Sequence, residues 1–294
     1  YVRCGCRGRY AGLDINRLDT RGQAAIHVAV RKKDPDILTL LLNLGANAGK
    51  RNTLGLTPLH IACETGNYSA VCSLLDAGAD VDEIEQLEVK NIGNERRTPL
   101  IIAATHGHTE CLKELLKRKA DTSLCDHKGN TALHKAAVYG ICSSIGPLLK
   151  HGALVDVQNN LGVTPLHLAL MQTHTGIVKM LLRAGASVNS TNPRFPSMLT
   201  VAAMTGEVEV LDKCIAERQN IDEIDSTDRT PLYYTFTGDV QRLRDFYPAI
   251  QEQGVSLDFQ CAWLPERKVT FRKLIEHGAD IERMLKDAVL HNAL

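Results

Sequence analysis

The stretch NTLGLTPLHIACETGN, Asn52 to Asn67, decides how this chain folds. It sets Thr57, Pro58 and His60 ahead of Ala62 and Gly66. A solitary histidine would raise the question of catalysis or metal binding. Recurrence answers it. The slot of His60 returns as His27, Ile101, His134, His167, Thr200 and Tyr233. The surrounding strings agree: AAIHVAV (24–30), TPLHIAC (57–63), TPLIIAA (98–104), TALHKAA (131–137), TPLHLAL (164–170), SMLTVAA (197–203) and TPLYYTF (230–236). Every interval is 33 residues except the 41 between His60 and Ile101. A fixed period of this length marks a repeat array.

A second marker follows each slot by 18 residues: GANA at Gly45, GADVD at Gly78, GALVD at Gly152 and GASVN at Gly185. Lys119 and Arg218 hold the glycine position in two weaker copies. Apolar stripes lie between slot and marker, as in ILTLLLNLG (37–45) and IVKMLLRAG (177–185). Each unit therefore reads as two short antiparallel helices and a projecting turn. Thr57 is suited to cap the first helix through its side-chain oxygen. Pro58 suits the first helical position, where a missing N–H costs nothing. Leu59 supplies a buried anchor, and Ala62 lets two helices approach closely. Gly66 and Gly78 suit the left-handed residues that end the two helices.

The TPLH-x-A strings and the 33-residue period resemble the ankyrin-repeat family over nearly the whole chain. The resemblance implies an all-α solenoid of seven to nine stacked helix-turn-helix units with β-hairpin-like turns, each burying its faces against its neighbours. The expected organisation is a single array over 1–294. It comprises a partial repeat at 1–16 and repeats near 17–49, 50–82, 83–123, 124–156, 157–189, 190–222 and 223–258. An irregular unit at 259–282 and a partial repeat at 283–294 complete it. Eight extra residues lengthen the turn of the third repeat. Near the C-terminus Gly254 reads as an end marker and Gln260 as the next slot residue, beside Phe246, Tyr247, Phe259 and Trp263. GLDIN (12–16) at one end and AVLHNAL (288–294), with His291 and Ala293, at the other are parts of further units. Neither end reads as a finished cap, so a fragment of a longer protein or an array with degenerate ends is expected.

Composition narrows the function classes. Hydrophobic residues make up 44% and aromatics 4%, which suits helix pairs packed through small residues. Lys plus Arg and Asp plus Glu are 34 each, without the basic excess of a general nucleic-acid binder. Charge is uneven, however: residues 1–33 are basic and residues 76–95 acidic, either as solvated surfaces or as a polarised binding surface. Nine scattered cysteines make no disulfide framework and read as core residues in a reducing compartment. The cytoplasm is expected, with the nucleus as the alternative. No run approaches the roughly 20 apolar residues of a membrane span. Cys4 and Cys6 lack a second ligand pair at a zinc-site spacing. His106 and His108 read as turn residues, and no glycine pattern forms a phosphate loop. Cofactor, metal and catalytic residues are accordingly all expected to be none. CLKELLKRK (111–119) reads as an amphipathic outer helix with a basic face.

The resemblance implies partner binding on a concave face made by the turns and the exposed ends of the first helices. Those ends are Arg31, Lys32, Glu64, Thr65, Thr105, His106, Val138, Tyr139, Met171, Gln172, Met204 and Thr205, which differ from unit to unit. Tyr139, Met171 and Met204 are expected to form an apolar stripe. The finger at 84–96 is a second candidate, with Glu83, Glu85 and Glu88 on one side and Arg96 and Arg97 on the other. Asn16 and Asn189 match the asparagine that the family's asparaginyl hydroxylases modify. The expected function is a monomeric, non-catalytic adaptor that binds a protein partner. The alternative is the ankyrin segment of a larger effector, such as a kinase, a channel or a ubiquitin-ligase substrate receptor.

Overall fold

The computed structural model describes residues 14–86, 95–189, 196–225, 229–237 and 265–284. Cys4, Cys6, Gly12, Glu88, Gly254, Gln260, His291 and the aromatic cluster around Trp263 lie outside them. The chain forms two compact units, residues 1–132 and 133–294. The first holds three helix pairs: α1 (Ala25–Lys32) with α2 (Pro35–Asn43), α3 (Pro58–Thr65) with α4 (Tyr68–Asp76), and α5 (Pro99–His106) with α6 (Thr109–Lys117). First helices stack as α1 on α3 on α5, and second helices as α2 on α4 on α6. This is the all-α stack of helix pairs that the repeat spacing implies.

The first helices begin where local chemistry requires. Thr57, Thr98 and Thr164 sit in extended backbone and accept from the N–H three residues on, with proline in the next position. Gly66 and Gly107 close α3 and α5 at φ 66° and 71°. Ile26, Leu59 and Leu100 precede the slot and are buried, as are Ala29, Ala62 and Ala103 after it. Each buried aliphatic of this size contributes about 1.5–3 kcal/mol.

The projecting turns are built by a second recurring pair. Asn52 Oδ1 accepts the N–H groups of Leu54 and Leu56, both at 2.9 Å. Asp19 serves Arg21 and Gln23, and Asp126 serves Lys128 and Asn130, in the same way. Adjacent turns join through backbone: Thr53 N–H to Gly22 carbonyl at 3.0 Å and Gln86 N–H to Gly55 carbonyl at 3.3 Å. A side chain at Gly55, φ 71°, would collide with the Gln86 backbone.

The second unit continues with α7 (Ala132–Val138), α8 (Cys142–Lys150), α9 (Pro165–Met171), α10 (Thr175–Arg183), α11 (Met198–Thr205), α12 (Val208–Ala216), α13 (Pro231–Thr237) and α14 (Pro265–Glu276). The last described helix, α14, lies beyond the expected boundary at 258. A bond between successive markers defines register elsewhere: Asn16 Oδ1 with Asn47 N–H, Asp82 with Asp121, Asp156 with Ser187. Asp222 makes that bond with Asp280, at 3.0 Å. Lys273 in α14 also reaches Asp212 in α12, at 2.7 Å. α14 is thus the second helix of the unit that α13 begins, and α13 and α14 pack together. Residues 238–264 fall between the two helices, where regular units have two or three residues.

Candidate functional site

The slot histidines come first, since they alone had the look of chemistry. Nδ1 of His60 receives the Thr57 N–H at 3.2 Å and lies 2.7 Å from the Thr57 hydroxyl. Nδ1 of His167 has the same partners in Thr164, at 3.3 and 2.8 Å. An Nδ1 that accepts from an amide is unprotonated, so the proton sits on Nε2. That proton points at the neighbouring turn. Nε2 of His27 donates to the carbonyls of Lys50 (2.9 Å) and Leu56 (3.2 Å), and Nε2 of His134 to Val163 (3.0 Å). Nε2 of His60 faces the carbonyls of Glu83 and Arg97 without reaching hydrogen-bond geometry. The eight extra residues separate those two carbonyls in sequence.

Burial fixes the charge state of these rings. Desolvation pushes the pKa of His60 down to about 4, with Arg51 and Arg97 nearby adding to the drop. Desolvation does the same to His167, again to about 4, assisted by His134. His27 is lowered by burial too. Rings held neutral and sealed from solvent are not poised as general bases; those of His27 and His134 tie one repeat to the next.

The helix ends divide into those that face water and those that do not. Arg31, Lys32, Glu64, His106 and Tyr139 are exposed. Neither Arg31 nor Lys32 makes an ion pair among the described residues. Thr65 and Thr105 are half-buried and turn their hydroxyls back to the carbonyls of Ile61 and Ile101, each at 2.8 Å. Gln172 is half-buried. Val138, Met171, Met204 and Thr205 are buried, so the expected Tyr139–Met171–Met204 stripe is not a surface feature. The reason lies in packing. Helix α11 is enclosed by α9, α12, α13 and α14, and α9 by α10 and α11. Only Tyr139 of the three remains outside.

The finger's described base is internally neutralised. Glu85 is fully buried and holds Arg97 through Nε at 2.6 Å and Nη2 at 3.2 Å. Glu95 reaches the same guanidinium at 2.9 Å, and Arg51 pairs with Glu83. Desolvation acts to lower the pKa of Arg97, but Glu85, Glu95 and Glu64 together outweigh it and the net shift is upward. The acidic and basic halves therefore face each other, which leaves Glu85 unavailable to a partner. Residues 87–94 lie outside the described structure.

Asn16 and Asn189 both take part in repeat-to-repeat contacts. Asn16 accepts from Asn47, while Asn189 donates to Glu217 at 2.5 Å and accepts from Gln219 at 2.9 Å. His108 spans to the Glu64 carbonyl at 3.1 Å, and His106 bonds within its own helix to the Ile102 carbonyl. In α6, buried Glu114 binds Arg118 at 3.0 Å, so the basic face of that helix carries an acidic anchor. Among the described residues no helix is long and apolar enough to cross a membrane, and no His/Cys/Asp/Glu group is arranged for a metal. The turn residues Asp19, Asn52, Asp126 and Asn159 were not singled out from sequence, although they recur in the same register, each with a glycine three residues later.

Comparison with known proteins places this geometry. The family model described as Ankyrin repeats (3 copies) matches residues 8–85 and 84–159, and the model described as Ankyrin repeat matches residues 161–193. The chain is 36% identical over 129 residues to the B-cell lymphoma 3 protein homolog of Mus musculus. It is 34% identical over 119 residues both to the tyrosine-protein kinase Shark of Drosophila melanogaster and to the Ankyrin repeat and SOCS box protein 16 of Homo sapiens. These alignments take in 42%, 40% and 40% of this chain. They span only 27%, 11% and 25% of the respective relatives.

Proposed function

The chain belongs to the ankyrin-repeat family, and from that premise we propose that it is a non-catalytic adaptor that binds a protein partner along its turns and first-helix ends. One observation carries the reading. The slot histidines, capping threonines and small alanines recur and are buried, while Arg31, Lys32, Glu64 and His106 differ from one another and face solvent. A preformed surface of this kind recognises a partner without a large ordering cost. Burial raises the pKa of the Cys63, Cys111 and Cys214 thiols, Cys111 to about 11 and Cys214 to about 12, and keeps them protonated core groups. A reducing compartment, the cytoplasm or nucleus, is proposed because the described cysteines are free. Hydroxylation at Asn16 or Asn189 would act on a turn that links two repeats.

The test is affinity capture with the wild-type chain beside an R31E/K32E/E64K variant. A protein retained by the wild type and lost by the equally stable variant supports the proposal. Retention of every captured protein by the variant contradicts it.

A second reading is the ankyrin segment of a larger effector. It is favoured by the small share of the kinase and SOCS-box relatives that the alignments cover. The full-length reading frame decides between the two.

A further inference from the structure

Charge along the first-helix ends is unevenly balanced. Arg31, Lys32 and Lys33 follow one another at the C-terminal end of α1, and all three are exposed. None of their side chains makes an ion pair or hydrogen bond among the described residues. The next carboxylate in the chain, Asp34, is engaged: its Oδ1 accepts the Ile37 N–H at 3.0 Å and starts α2. The C-terminal pole of α1 carries about half a negative charge, too little to balance three cations.

The following repeats differ in two ways. Their arginines are balanced internally: Arg51 by Glu83, Arg97 by Glu85 at 2.6 Å, and Arg118 by Asp76 at 2.6 Å. Their helix ends also carry other residues. Glu64 and Thr65 stand in the register of Arg31 and Lys32, and Thr105 and His106 come next. Helix α1 packs on α3, and packed helix axes lie about 8–10 Å apart. Within one repeat the row therefore passes from three unbalanced cations to an exposed carboxylate, Glu64.

We propose that the α1 end of this row binds an acidic stretch of the partner polypeptide, with neighbouring carboxylates on Arg31, Lys32 and Lys33. Glu64 marks where that stretch stops. The inference rests on the adaptor reading and adds the chemistry of the partner. Arginine takes a carboxylate through two parallel N–H bonds, which gives the contact direction as well as charge. A nucleic acid fits this row poorly. Its phosphates recur at every nucleotide, so a strand continuing past α1 meets Glu64, and the chain as a whole has a formal charge of zero.

Fluorescence anisotropy at low ionic strength tests it, with variants of matched stability. The probes are a short labelled peptide with three consecutive glutamates, its glutamine counterpart, and a single-stranded oligodeoxynucleotide of equal charge. The glutamate peptide should bind about tenfold or more weaker to Arg31→Glu/Lys32→Glu, and less than about twofold weaker to Lys113→Glu/Lys117→Glu. Glu64→Lys lengthens the cationic row and should tighten binding about threefold or more. Equal binding of the glutamine peptide, equal losses in the two double variants, or tighter binding of the oligonucleotide overturns the proposal. Absence of binding by the glutamate peptide overturns it as well, while the capture experiment still decides the adaptor reading separately.

Discussion

The Thr57 hydroxyl lies 2.7 Å from Nδ1 of His60, and the Thr57 N–H approaches the same nitrogen from 3.2 Å. The pair closes the first turn of α3 and orients Nε2 toward the neighbouring turn. Thr57→Val removes the cap and leaves Nδ1 with one donor fewer in a buried site. The expected loss is about 1–2 kcal/mol in urea unfolding. A change below about 0.3 kcal/mol would show that the pair is not structural.

Acid should weaken the fold through the same rings. Histidine titrates near 6.5 when unfolded, while His60 and His167 titrate at about 4 when folded. Between those values the unfolded chain binds more protons than the folded one. Stability is thus complete above about pH 6.5 and falls as the pH drops toward 4. Each ring contributes about 1.4 kcal/mol per pH unit in that window. Urea midpoints at pH 7, 6 and 5 check this, and His167→Gln should flatten the slope. Equal midpoints at pH 7 and 5 would refute it.

At the base of the long finger, Glu85→Ala leaves the Arg97 guanidinium without its closest carboxylate. Breaking a buried pair from one side costs about 3–5 kcal/mol, and the partial exposure of Arg97 brings the expected loss to about 2. Glu95→Ala, at a half-exposed carboxylate, should cost less than about 1 kcal/mol. Equal losses from the two variants would mean that the buried pair has no special weight.

The Asp222–Asp280 bond makes a regional prediction. Asp222→Ala should raise hydrogen exchange in residues 265–284 by about fivefold or more, because a charge-assisted bond contributes about 1–2 kcal/mol. Exchange in α9 and α10 should stay unchanged. No change in α14 would detach it from the unit begun by α13.

Much of this was legible in the chain itself. Thr57, Pro58, His60 and Gly66 act through bonds within a few residues, so their spacing carried the helix starts and stops. The Asp/Asn-x-x-Gly turns at 19, 52, 126 and 159 were equally periodic, but they lie outside the more conspicuous TPLH strings. Burial of Met171 and Met204 was not legible, because it depends on how many helices enclose α9 and α11. The Asp222–Asp280 contact was not legible either, because it joins residues 58 apart in the chain. Gly278 resembles a marker, and its turn is tied to Asp222 through the Asp280 N–H.

In the function proposed above, the exposed first-helix ends choose a protein partner. The most direct test is calorimetric titration of the partner recovered by capture against two charge-reversal variants of matched stability. One is Arg31→Glu/Lys32→Glu, on the first-helix end. The other is Lys113→Glu/Lys117→Glu, on the outer helix α6. Affinity should fall about tenfold or more for the first and less than about twofold for the second. The reverse order, or equal losses, would contradict it.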